Sequence, residues 1–89
     1  MPRAFERDGF VVRVLGPPRE HPPPHVHVQL GSHALVVIRL RLPNVAQRVW
    51  RIYDMRPRDV VRAFKLVELH HDLLLQLWED MHGETPDAR

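Results

Sequence analysis

The chain has 89 residues, no cysteine, and 13 Lys+Arg against 11 Asp+Glu, for a formal net charge of +2. A chain of this length supports one domain with a small core, and the missing cysteines exclude disulfides, thiol nucleophiles and Cys-ligated zinc. The longest uninterrupted apolar run, Ala34–Ile38, is far too short to span a bilayer.

The small net charge conceals a division. Residues 1–65 carry 12 Lys+Arg and 5 Asp+Glu, a balance of +7, while residues 66–89 carry 1 and 6, a balance of −5. Arginine supplies 12 of the 13 basic residues, and its forked contacts to phosphate and carboxylate suit an anionic partner. The competing explanation is an ordinary solvated, Arg-rich surface. The N-terminal segment contains Glu6 and Asp8 and no continuous apolar stretch, so it does not read as a signal peptide. A cytoplasmic protein is expected.

Gly9–Leu15 (GFVVRVL) predicts a first strand, with Phe10, Val12 and Val14 on one face and Arg13 on the other. Five prolines in the nine residues Gly16–Pro24 predict an extended, polyproline-like loop. His25–Leu30 alternates Val26, Val28 and Leu30 with His25, His27 and Gln29, as a half-buried strand does. Gly31–Ser32 fits a two-residue hairpin turn into a returning strand, His33–Leu42. That register sets Leu30 opposite His33 and Val28 opposite Leu35, so Leu35 and Val37 extend the apolar face. Ile38, Leu40 and Leu42 then fall on the opposite parity, and a bulge near Val37–Ile38 is expected to reconcile the halves. Pro43–Asn44 marks a turn, and residues 47–53 suggest a further strand bearing Val49, Trp50, Ile52 and Tyr53.

Pro57 suits a first helical position, and Asp59 complements the positive helix end. Val60, Phe64, Val67, His71, Leu74, Trp78 and Met81 follow at helical spacing, with a parallel row of Ala63, Leu66, His70, Leu73 and Leu77. They predict one helix over residues 57–82, about seven turns long, ended by Gly83 and followed by a frayed tail. The expected fold is α+β, a single domain over residues 1–89. An antiparallel sheet of three or four strands packs against one long C-terminal helix. The stripe is long for so small a sheet, which points to a homodimer or a small partner protein.

Residues 20–33 hold four of the seven histidines. His25 and His27 leave one strand face about 6.5–7 Å apart, as candidates for general acid–base chemistry. They are also candidates to share a metal such as zinc with His21, with Glu20 or the helix group His70, His71 and Asp72 as other third ligands. The structural alternative makes the strand histidines polar surface and the prolines a device for setting the loop. For His70 and His71 it makes one a core-edge residue bonded to a backbone carbonyl and the other half-exposed. Arg39, Arg41, Arg48 and Arg51, interleaved with Trp50 and Tyr53, are candidate nucleic-acid contacts: cations for phosphates, rings for bases. Core packing is the alternative for the rings, Trp50 above all.

Taken together, MPRAFERDGFVVRVL, HPPPHVHV and LHHDLLLQLWE resemble a widespread bacterial domain-of-unknown-function family numbered 4160. Its members begin with Met-Pro and a short glycine–apolar strand, carry an H-x-P-P-H-x-H-V element and a hairpin, and end in a helix bearing a histidine, an acidic residue and a tryptophan. The matching positions are His21, Pro23, Pro24, His25, His27, Val28, His70, Asp72 and Trp78. Ala34–Tyr53 departs from the pattern, being more apolar and richer in arginine. The resemblance implies a component of a small two-gene, toxin–antitoxin-like module with no established activity. Three functions are therefore weighed. The first is a regulatory binding module engaging a partner protein, nucleic acid or both. The second is a small histidine-dependent hydrolase or nuclease, with or without a metal. The third is a purely structural interaction protein.

Overall fold

The structure is a computed structural model and describes residues 3–14, 23–40 and 48–82. Its strands are β1 (Arg3–Arg7), β2 (Phe10–Arg13), β3 (His25–Leu30), β4 (Ala34–Arg39) and β5 (Val49–Tyr53), followed by helices α1 (Pro57–Leu69) and α2 (His71–His82). The strands pair antiparallel in the order β1-β2-β3-β4-β5. This is the expected α+β arrangement with two differences among the described residues: five strands stand where three or four were predicted, and two helices replace one.

The additional strand is β1. Its sequence, Arg-Ala-Phe-Glu-Arg, offers a core little besides Phe5, so hydrophobic alternation does not announce it. The turn does. Arg7 pairs with Phe10, leaving Asp8 and Gly9 as a two-residue loop at φ 53° and 85°. Two successive left-handed residues define the type I′ hairpin turn, for which Asp-Gly is a preferred pair.

The β3–β4 turn holds three residues rather than two. Leu30 pairs with Ala34, Val28 with Val36 and Val26 with Ile38, and Gly31 takes φ 69°. One extra turn residue reverses the faces of the whole returning strand. Val36, Ile38 and Leu40, all fully buried, therefore extend the core face, while Leu35 and Val37 turn away from it. The β3–β4 ladder runs without interruption, so no bulge is needed in β4. The irregularity falls on β5: Val37 pairs with Arg51 and Ile38 with Val49, which leaves Trp50 as the extra residue.

Phe10, Val12, Val26, Val28, Val36 and Ile38 from the sheet form one buried cluster with Val60, Ala63, Val67, Leu74 and Trp78 from the helices. Both helices thus cover the same sheet face. The helical apolar repeat continues through residues 57–82, yet the helix does not. At His70 (φ −113°, ψ 23°) the backbone N–H turns to the Val67 carbonyl at 3.1 Å. The imidazole Nδ1–H donates to the Leu66 carbonyl at 3.2 Å, which in a continuous α-helix would accept the amide of residue 70. His71 Nε2–H then donates to the Leu40 carbonyl just past β4, docking the start of α2 on the sheet. The break brings Leu74 and Trp78 into the core built on Val60, Ala63 and Val67, and leaves Leu69 and Leu73 exposed near the joint. The predicted turn at Pro43–Asn44 and the helix stop at Gly83 lie outside the described residues. Among the described residues no helix is long and apolar enough to cross a membrane.

Gly9 offers a direct check on the β1–β2 turn. A Cβ there would sit 3.4 Å from Leu30 Cδ1, an ordinary contact, so the strain lies in the dihedral. Gly9→Ala is expected to cost about 1–2 kcal/mol, or roughly 4–8 °C in Tm per kcal/mol for a domain of this size. Gly9→Asn should cost less. Thermal melts followed by circular dichroism measure both, and an unchanged Tm for the alanine variant would contradict the turn.

Candidate functional site

Alternation decides what stands on the side of the sheet opposite the helices. With Val26 and Val28 turned to the helices, His25, His27 and Gln29 belong to the opposite face. Cross-strand pairing extends that face in rows: Arg13, His27, Val37 and Arg51 form one, and Val11, Gln29, Leu35 and Tyr53 the next. His25 pairs with Arg39 at the end of the sheet, close to the bulged Trp50.

Short side chains run along β4 and longer ones flank it. Leu35 and Val37 lie in a trough of about 600 Å³, with His25 and His27 of β3 on one side and Trp50, Arg51 and Tyr53 of β5 on the other. His33, from the β3–β4 turn, also borders it. Trp50 and Tyr53 are 38% and 46% exposed, so core packing does not account for either ring. Trp50 is instead framed by cations. The guanidinium carbon of Arg39 lies 4.3 Å from its ring centroid and that of Arg51 5.6 Å away, within cation–π range.

The two strand histidines meet, with ring centroids 5.5 Å apart, but their surroundings differ. His25 is buried at 3% exposure. Its Nδ1–H donates to the Pro23 carbonyl at 2.8 Å, and its ring sits 5.4 Å from Trp50 and 5.0 Å from Trp78. His27 is half-buried, in the row between Arg13 and Val37. His25 is thus held in place, while His27 is the imidazole more open to a ligand.

Arg39 and Arg51 come together at Trp50, but Arg48 does not join them. It is buried at 5% exposure. Its Nε–H donates to the Arg39 carbonyl at 2.9 Å, its Nη1–H bonds the Glu68 carboxylate, and its guanidinium carbon lies 4.9 Å from the Phe64 ring centroid. Arg48 ties the end of β4 to α1, which removes it from the residues expected to meet phosphate. Arg41 and His21 lie outside the described residues.

Sequence reasoning did not assign a role to Arg13, although the alternation of β2 set it opposite the core. It also missed Leu35 and Val37 as part of the site, because the assumed turn length put them on the wrong face. Among the described residues no three His, Asp or Glu side chains converge so as to hold a metal ion. His70 and His71, weighed as third ligands, donate to the Leu66 and Leu40 carbonyls, and the His70 ring packs 4.5 Å from that of Phe5. Both therefore take the structural role that had been assigned to one of them.

These features define a small α+β domain whose helices cover one sheet face and whose other face is basic and aromatic. Residues 9–79 match the family described as Domain of unknown function (DUF4160), and the chain belongs to that family. Comparisons with curated proteins and with solved structures give no match. The matched span includes His25 and Trp78, which the fold brings into ring contact across more than fifty residues of chain.

Two arginine variants separate architecture from surface. Arg48→Ala leaves the Arg39 carbonyl and Glu68 without their donor, and should cost about 2 kcal/mol because Glu68 is half-exposed. Arg51→Ala, on the exposed face, should stay within about 0.5 kcal/mol of the parent. Urea unfolding of both proteins measures the difference, and equal losses would refute the division of roles.

Proposed function

We propose that this chain is a regulatory nucleic-acid-binding module, of the toxin–antitoxin-like kind, that lays a single strand across the sheet face opposite its helices. The observation that carries this reading is Trp50, an exposed, bulged tryptophan on an edge strand with Arg39 and Arg51 against its ring. A sheet that presents rings beside cations offers bases a stacking surface and phosphates a counter-charge, the combination used by single-strand binders. Bases within a duplex are already stacked, so exposed rings favour unpaired ones. Arg13 lies on the same face through its pairing with His27. A small partner protein, the other half of such a module, would meet the helical side, where Leu69 and Leu73 are exposed.

Fluorescence anisotropy with labelled single-stranded RNA and DNA tests the reading. Binding should fall steeply with salt. Trp50→Ala should cost about 1–3 kcal/mol, the worth of one stacked base. Arg51→Gln should flatten the log–log salt dependence by about 0.7, the share of one phosphate contact to a single strand. Absence of retention on any single strand at about 50 mM salt, where such contacts are strong, would sink the proposal.

A second reading, a small histidine-dependent hydrolase or nuclease, draws on one specific observation: two imidazoles 5.5 Å apart in a trough that also holds Arg51. In that case His27, the more accessible ring, carries the proton and Arg51 steadies the phosphate. His27→Ala should then reduce cleavage of a phosphodiester by roughly 100-fold or more while single-strand affinity changes little. Purified protein that binds RNA but releases no product over a day removes this reading and leaves the first intact.

A further inference from the structure

The trough holds more than a flat stacking surface requires. A strand lying on a sheet needs rings and cations, whereas this face also has a depression of about 600 Å³, within the ~300–1,000 Å³ of small-molecule sites. Its chemistry is polarised along β4. One end has Tyr53 and His33 beside Leu35, which pairs with Tyr53. The other end has Arg51 and Trp50, with the Arg39 guanidinium packed against the Trp50 ring. Between them the floor is apolar, Leu35 and Val37. Leu35 pairs with Tyr53 and Val37 with Arg51, so the two ends stand two strand residues, about 7 Å, apart, room for a base at one end and its phosphate at the other.

We infer that the trough is a nucleotide pocket, taking a single unstacked nucleotide with its base over Leu35 and its phosphate at Arg51. This rests on the single-strand reading and deepens it. The pocket selects one base of a bound strand, by hydrogen bonds from Tyr53 and His33 to the base edge, and accepts the same group as a free nucleoside monophosphate. Apolar contact with the base and charge contact with the phosphate are both needed, so neither a nucleoside nor inorganic phosphate is an adequate ligand alone.

Isothermal titration of the full chain with the four ribonucleoside monophosphates, with adenosine and with inorganic phosphate tests this, beside anisotropy with a labelled oligonucleotide. One-to-one binding of at least one nucleotide is expected, with a Kd on the order of 1 mM or tighter and at least tenfold stronger than that of adenosine or phosphate. Val37→Phe, which fills the floor without removing a cation or a ring, should weaken that nucleotide tenfold or more. Tyr53→Phe, a milder change at an exposed position, should alter the ranking of the four bases. Inorganic phosphate binding as well as any nucleotide would reduce the trough to a bare anion site and overturn the inference. So would oligonucleotide binding that depends on Trp50 and Arg51 while no mononucleotide binds, and that result would leave the single-strand reading standing. Failure of both ligands to bind would end both.

Discussion

Val28 pairs with Val36 and Val26 with Ile38, all four fully buried, and the remaining features depend on that register. A slip of one residue would turn Val36 and Ile38 to water and bring Leu35, Val37 and Arg39 beneath the helices. Setting the Arg39 guanidinium against an apolar helix face would cost several kcal/mol, to judge from the price of burying charge. The slip is therefore opposed from both faces. The period of two that fills the core also carries every imidazole and guanidinium of these two strands to the other side. The site needs no device of its own: it is the reverse of the core.

At one end of the sheet the two faces are mechanically joined. The Leu40 amide bonds the Pro24 carbonyl at 2.9 Å, prolonging the β3–β4 ladder past its last paired residues. The Leu40 carbonyl receives His71 and the Arg39 carbonyl receives Arg48, so α2 and the residue before β5 are tied to two adjacent backbone groups. His25 lies between Trp50 on the open side and Trp78 of α2. The rings and cations at that end of the trough are thus set by the packing that seats the helices. A surface whose side chains are already ordered loses less entropy when a ligand immobilises them.

Much of this was legible from residue order, and each failure has a local cause. Strand β3, the start of α1 at Pro57 and the inward rows Val26/Val28 and Val60/Val67 follow from period and capping chemistry alone. Turn length was not readable from Gly31–Ser32, because glycine permits positive φ in loops of two or three residues equally well. That single ambiguity inverted β4 and created the need for a bulge that β4 does not have. Strand β1 was invisible to hydrophobic alternation, although Asp8-Gly9 carried the hairpin signal. The helix break was hidden because His70 fits the apolar stripe. Its effect comes from a ring nitrogen capturing the Leu66 carbonyl, which no periodicity encodes. At the site, the same alternation that placed His25 and His27 on one face could not say that His25 would be buried, since Trp78 arrives from fifty residues away.

The division of charge acquires a meaning once the faces are known. Among the described residues the face opposite the helices carries Arg13, Arg39 and Arg51 with Glu6, paired through Val11; on the helical side α1 sets Arg58, Arg62 and Lys65 beside Asp59 and Glu68, and α2 holds Asp72, Glu79 and Asp80 and neither Lys nor Arg. A chain with a net charge of only +2 would be a poor ligand for a polyanion if its charges were averaged. They are not averaged at physiological ionic strength, where fields decay over about 8 Å, well short of the domain's smallest extent of 21 Å. An anion approaching the open face meets the arginines nearly unopposed by the acids of α2.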